Sequence, residues 1–374
     1  MSAIKRAVTG VRSIISDPVE RRAYLSRLKF LAKGTEGVQA WSLEYREGLK
    51  GQFNVPLARI ACDEEVVVRS PDDAAHNQLS HLYERRYVYR LTDTIVSTSS
   101  GATIMCGTPV PPFFIRESIA WPFESVLVHG LEIPEVSQVE IRFKDPLTVF
   151  PTTRNYYHWL IEDLPMVLRA YRDAPESGLL AYGPGVTDRH RTVASRLGMT
   201  MTLAPLVVRL EEHVLSGRAC DSFFVHPQDF ELLSAFGRSL TDASTAMRPT
   251  YPEKLYISRS KSRRPLADEV GLEMLLFAAG FEVVHLEDMP WIEQVRMFQR
   301  ASVIVGAHGA GLANLVFAGP NTTVIELTVG YMFNRCFEWI CIVAGHRYLP
   351  IEADSFPATS TAESLFRRIQ DLIE

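Results

Sequence analysis

Apolar and polar positions change their period along this chain, and the change divides it. From about residue 150 onward, short apolar runs alternate with stretches of helical spacing. The pattern predicts helices over 155–173, 187–197 and 227–241, with strands at 179–182 and 206–216 between them. A second series follows, with strands at 254–258, 281–286, 302–307, 323–327 and 347–351. Its helices are expected over 265–279, 291–300, from about 310, over 333–344 and over 362–373. Gly198 and Gly280 are placed to stop the helices before them. Alternation of this kind implies βαβ units around parallel sheets. Pro249 and Pro252 mark a linker or hinge at 248–253, so the expected domains are 1–245 and 246–374.

The first 150 residues read differently. Residues 1–33 suggest one or two helices, interrupted near Asp17-Pro18. Residues 36–150 carry β-rich pieces at 65–69, 87–96, 125–128 and 139–143, with prolines at 109, 111 and 112. The fold class expected overall is α/β: two Rossmann-type halves with a β-rich N-terminal elaboration.

Composition adds exclusions. The 374 residues are 47% hydrophobic and 22% charged, as in an ordinary globular protein, and suggest two domains. A formal net charge of -5 creates no global field for nucleic acid, and no nucleic-acid-binding motif stands out. Five scattered cysteines argue against a disulfide framework and for a reducing, cytoplasmic setting. No apolar run approaches the ~18 residues that span a bilayer, and no signal-peptide pattern opens the chain. The N-terminus is locally basic, with Lys5, Arg6, Arg12, Arg21, Arg22, Arg27, Lys29 and Lys33 facing only Asp17 and Glu20. It suits either peripheral contact with the inner face of an anionic membrane or a solvated helical arm.

Candidate chemistry concentrates at Gly306–Asn314. A short apolar strand runs into a turn with Gly306, Gly309 and Gly311, followed by a helix start. Glycine lets another group approach the backbone closely, and free amides at a helix start suit an anion. Taken alone, these glycines would serve tight strand–helix packing equally well, and His308 could be a core histidine. The spacing is neither GxGxxG nor a P-loop. Two neighbours favour a phosphate. Arg259, Lys261, Arg263 and Arg264 follow the strand end at Ile257. Arginine grips phosphate oxygens in a bidentate manner. Glu326 ends an apolar strand, where a carboxylate can accept from ribose hydroxyls.

ISRSKSRR at 257–264, GAHGAGLANLVFAGP at 306–320, VIEL at 324–327 and NYYHWLIEDLP at 155–165 occur in this chain. Over about 150–350 it resembles glycosyltransferase family 61. The resemblance implies a GT-B-like fold and inverting transfer from a UDP-sugar, without an obligatory metal or other cofactor. It implies that residues 246–374 bind the nucleotide sugar and 1–245 face the acceptor. Arg259, Arg263 or Arg264 would hold the diphosphate, completed by His308 and the Gly309, Ala310 and Gly311 backbone. Asn314 would support the loop or touch the donor, and Glu326 would bind ribose. Met166 stands where the family usually has Arg, and Asp268 where Asn is common.

An inverting transfer needs a base for the acceptor hydroxyl. His158 and Glu162 are four residues apart on the predicted helix and share a face. Glu162 is the assigned base, with Asp163 second. His158 either orients the carboxylate or acts itself. Pro165 should kink or restart this helix. No DxD triplet occurs, which agrees with a metal-independent mechanism. The expected acceptor is a glycan or lipid-linked sugar in surface polysaccharide synthesis, such as a capsule. Rival readings are a catalytically silent nucleotide-sugar-binding module and another nucleotide-sugar enzyme such as an epimerase.

Overall fold

The computed structural model describes residues 87–99, 139–217, 225–242, 252–262, 264–329, 335–353 and 361–373, with short strand pieces between 58 and 114. The helices expected in 1–33, the strand at 125–128, Arg263 and most of the 248–253 linker lie outside the described residues.

The C-terminal half is a parallel five-stranded sheet. Its edge-to-edge order is Glu282–Val284, Lys254–Ile257, Val303–Ala307, Thr323–Val329 and Arg347–Ala353. The strands are short apolar runs because both faces are covered. Leu255, Ile257, Ile304 and Val324 face one layer of helices, and Tyr256, Val305 and Ile325 face the other. The chain steps outward from Lys254–Ile257 in one direction and returns on its other side at Val303–Ala307. That reversal sets the loops after Ile257 and Ala307 side by side, at the point where open α/β sheets bind ligands.

The N-terminal half holds a nine-stranded mixed sheet. Met201–Ala204, Gly178–Tyr182 and Leu147–Val149 run parallel, and Leu147–Val149 pairs with Val207–Ser216. Val207–Ser216 then pairs antiparallel with Tyr87–Ser97 over most of its length. Part of the β-rich N-terminal region belongs to this sheet, while Val66–Arg69 and Ser80–Tyr83 pair as a two-stranded sheet of their own. The region's longest strand, Tyr87–Ser97, is central to the nine-stranded sheet. This departs from the expected Rossmann-type half, because local periodicity carries no information about pairing across a hundred residues.

Each half has apolar clusters of its own, and a further one is shared between them. One continuous apolar cluster runs from Phe150, Trp159, Leu164 and Phe236 in the first half to Phe298, Leu312, Phe317 and Trp339 in the second. The described residues of the two halves therefore pack directly against one another. Opening them would expose buried aromatic and aliphatic side chains at about 1.5–3 kcal/mol each. The seam is tightest where Gly237, inside helix Pro227–Asp242, meets Phe317. A Cβ on Gly237 would lie 2.4 Å from the Phe317 ring. Alanine gains ~1 kcal/mol of helix propensity there, but forcing the buried ring aside costs about 1–3 kcal/mol. Gly237→Ala should therefore lower the melting temperature, where an unconstrained helix would be stabilised.

Helix geometry departs from expectation twice. The 155–173 stretch is a turn at Tyr156–His158, a π turn at Trp159–Asp163 and an α-helix over Leu164–Asp173. Asn155 caps it through its side chain, which accepts from the Tyr157 amide at 2.9 Å. Pro165 has no N–H for an ordinary helical bond to Ile161, and the Leu164 amide reaches Trp159 instead. The segment after Gly309 is a 3-10 helix over Ala310–Phe317.

Candidate functional site

A cleft of about 650 Å³ opens between the halves. One wall is the basic loop and the glycine turn, with Ser258, Arg259, Ser262, Gly309, Ala310 and Gly311. The opposite wall comes from the N-terminal half, with Tyr156, Thr187 and Arg189. Glu287, Trp291 and Gln294 line one side.

The glycines are explained by what approaches them. Arg259 lies flat against Gly309, where a Cβ would come 3.0 Å from its Nη1. The same Nη1 donates to the His308 carbonyl, which ties the basic loop to the glycine turn. At Gly311 a Cβ would press on Leu286 at 2.7 Å. The Arg259 amide donates to Glu269 at 2.9 Å, so the loop is braced from behind as well. Burial pulls the Arg259 pKa down, and Arg264 adds like-charge repulsion. A guanidinium remains charged regardless, so an anion in the cleft would relieve both effects. The other cations are less committed. Arg264 is exposed, and Lys261 pairs with Asp288.

Glu326 is not where a ribose could reach it. It is fully buried, accepting from His308 Nδ1 at 2.5 Å and from the Tyr348 hydroxyl at 2.5 Å. The His308 ring packs edge-on to Phe337. Glu326 thus braces His308, the residue that carries the carbonyl gripped by Arg259. On this side of the cleft the acidic side chain in the lining is Glu287, just beyond strand Glu282–Val284. The end of the second strand is the usual place for a ribose carboxylate in a nucleotide-binding sheet.

Asn314 is fully buried and does not line the cleft. It accepts from the Tyr156 hydroxyl and donates to Gln294 at 3.1 Å. Tyr156 in turn accepts from Trp291 Nε1 at 2.8 Å. This chain of bonds joins the two halves at the floor of the cleft.

In the N-terminal half the three candidate bases separate. His158 Nδ1 donates to Glu162 at 2.6 Å. The side chain of His158 is 40% exposed and that of Glu162 only 3%. Asp163 has no exposure, so an acceptor hydroxyl cannot reach it. Exposure thus runs opposite to the order assigned from sequence. The carboxylate is held inside, and the imidazole is the reachable member. With Nδ1 donating, Nε2 keeps its lone pair. None of His158, Glu162 and Asp163 lines the cleft. His158 connects to the glycine turn through edge-to-face ring contacts, from Tyr157 to Phe337 to His308.

Sequence reading passed over Tyr156, Arg189, Glu287 and Trp291. Glu287 was findable, since it follows the second strand of a βαβ unit. The other three meet only through tertiary contact.

Among the described residues, no group of three or more His, Cys, Asp or Glu is placed to hold a metal ion. None of their helices is long and apolar enough to cross a membrane.

The protein is of the α/β class, with a cationic loop at the switch point of a parallel sheet facing a second wall across a cleft. Residues 156–325 match the model of the family Glycosyltransferase 61, which supports assigning this region to that family. A beta-1,2-xylosyltransferase of Arabidopsis thaliana is 44% identical over 90 residues, 23% of this chain and 17% of that protein. The beta-1,2-xylosyltransferase RCN11 of Oryza sativa subsp. japonica is 36% identical over 81 residues, 22% of this chain and 14% of that protein. The matched stretches thus span less than a fifth of the length of these relatives. Among solved structures, the dodecameric iron-containing heptosyltransferase TibC with ADP-D-beta-D-heptose overlaps 81% of each chain at 10% identity and a TM-score of 0.31. TibC from enterotoxigenic E. coli H10407 overlaps 71% of this chain and 73% of its own at 10% identity and a TM-score of 0.27. Likeness at that level carries no structural detail.

Proposed function

We propose that this protein transfers a sugar from a UDP-sugar to a hydroxyl of a glycan or lipid-linked acceptor, with inversion and without an obligatory metal. The observation that carries the reading is Arg259, packed on Gly309 at the switch point of the parallel sheet and lining the cleft. The acceptor oxygen would attack the anomeric carbon as the bond to the diphosphate breaks. UDP leaves with its new charge met by Arg259 and the amides of the glycine turn. His158 Nε2 would take the hydroxyl proton, and Glu287 would accept from the ribose. The relatives' name makes UDP-xylose the first donor to try. A GT-B-like arrangement fits this reading, with the donor on the C-terminal sheet.

Arg259→Ala should weaken UDP binding by about 10–100-fold, since hydrogen bonds to charged groups contribute roughly 1.5–3 kcal/mol. Uridine, which lacks the phosphates, should bind as before. Calorimetric titration of both ligands into both proteins checks this. Equal losses for the two ligands would place the diphosphate elsewhere.

The absence of His158 and Glu162 from the cleft lining favours one second reading, a module that binds a nucleotide sugar without turning it over. Slow release of UDP from a UDP-sugar by solvent hydrolysis would separate the two.

A further inference from the structure

Arg189 stands in the first turn of helix Asp188–Leu197, where a cation opposes the helix dipole. Its place is not explained by local preference. The guanidinium lies over the Trp159 ring at 4.4 Å and within 5.4 Å of the Tyr156 ring. Those two rings stack on each other, so the plane of the guanidinium rests on a rigid aromatic floor. Trp159 is itself fixed, because its Nε1 donates to the buried His190 at 3.1 Å. Of the five Arg189 donors, one reaches the Thr153 carbonyl at 3.2 Å. Nε has no hydrogen-bond partner among the described residues, although it is buried. A half-buried cation with unused donors is held in a costly state unless a ligand completes it. Burial accordingly lowers its pKa, offset in part by Tyr156 and the buried Asp163. Asp188, its neighbour in the cleft wall, turns its side chain fully into solvent toward Arg191 at 4.0 Å.

We infer that Arg189 is a second cation for the donor diphosphate, facing Arg259 across the cleft from the half of the molecule expected to serve only the acceptor. The inference rests on the UDP-sugar reading above. Its ligand chemistry is a phosphate group that accepts from a planar guanidinium fork. Placed this way, Arg189 makes donor binding depend on both halves at once. Neither half alone would then form the diphosphate site. The shared core described above supplies the reason this can work, since it holds the two arginine-bearing walls at a set separation.

The experiment is calorimetric titration of UDP, UMP and uridine into the unaltered protein and into Arg189→Gln, with thermal melting as a check on folding. The expected result is UDP weakened by about tenfold or more, UMP weakened less, and uridine unchanged. Should Gln disturb the stack on Trp159 and lower the melting temperature, Arg189→Met keeps the apolar stem without the charge and decides the matter. UDP binding to a folded Arg189 variant as tightly as to the unaltered protein overturns the inference, even if Arg259→Ala still weakens it. A change confined to the KM for an acceptor also overturns it, because the phosphate would then belong to the acceptor. If the unaltered protein binds no UDP, the UDP-sugar reading fails first and takes this inference with it.

Discussion

His158→Ala should lower turnover with a UDP-sugar by about 10²–10⁴-fold while leaving UDP affinity unchanged. The imidazole is the reachable member of its pair, and its Nδ1 is fixed by a carboxylate that solvent barely touches. That arrangement leaves Nε2 to accept a proton and lets Glu162 stabilise the imidazolium as it forms. Glu162→Gln tests the same idea from behind. Its amide can donate to Nδ1, which favours the tautomer with the proton on Nε2, the wrong one for a base. Turnover should drop sharply there too, with the fold intact. UDP release assays at saturating donor measure both variants. Full turnover in His158→Ala would remove this pair from the chemistry and direct attention to the second histidine–carboxylate pair, His308 with Glu326.

Glu326→Ala should destabilise the protein by about 1–3 kcal/mol for each buried donor left without its acceptor. It would strip His308 Nδ1 and the Tyr348 hydroxyl of the carboxylate both bind. The Tyr348 pKa is raised by burial first and by the Glu326 charge second, so its proton stays in place to be left without an acceptor. A ribose contact predicts something else. Under that reading Glu326→Gln would weaken uridine and leave stability nearly untouched. The buried position instead predicts a lower melting temperature with uridine affinity unchanged, and the loss of uridine binding should follow Glu287→Gln. Differential scanning fluorimetry with a uridine titration distinguishes the two. Weak uridine binding in a stable Glu326→Gln protein would restore the ribose role to Glu326.

The contrast between Glu326 and Arg259 shows how far sequence carries. Both were read from position at a strand end. For Arg259 the position sufficed to place it on the cleft wall, because the loop after the first strand of a parallel sheet lies at the carboxyl ends by topology alone. For Glu326 it did not. A strand-end carboxylate can point outward or back into the sheet, and the decision depends on whether a buried donor waits there. His308 and Tyr348 are 18 and 22 residues away in sequence, and no local pattern announces that both will meet one carboxylate. Asn314 is a parallel case. Its partners Tyr156 and Gln294 come from opposite halves of the chain, so its role as a joint between them is invisible to spacing. Pro165 lies between these cases. The break in the helix was legible, because proline lacks an N–H, but its form as a π turn ending at Asp163 depended on how Trp159 had to pack.

By itself, the sequence determined the parallel C-terminal sheet, the order of its strands along the chain, and the basic loop and glycine turn at their carboxyl ends. These follow from apolar periodicity and from the few residue types that permit close backbone approach, both of which are local. Tertiary structure alone decided that one apolar cluster joins the two halves, that Tyr87–Ser97 is central to the first sheet, and that His158 rather than Glu162 or Asp163 is reachable. It also decided that Arg189 faces the glycine turn across a cleft. Each of these depends on which surfaces remain once residues far apart in the chain have packed, and burial of that kind belongs to the assembled molecule rather than to any stretch of it.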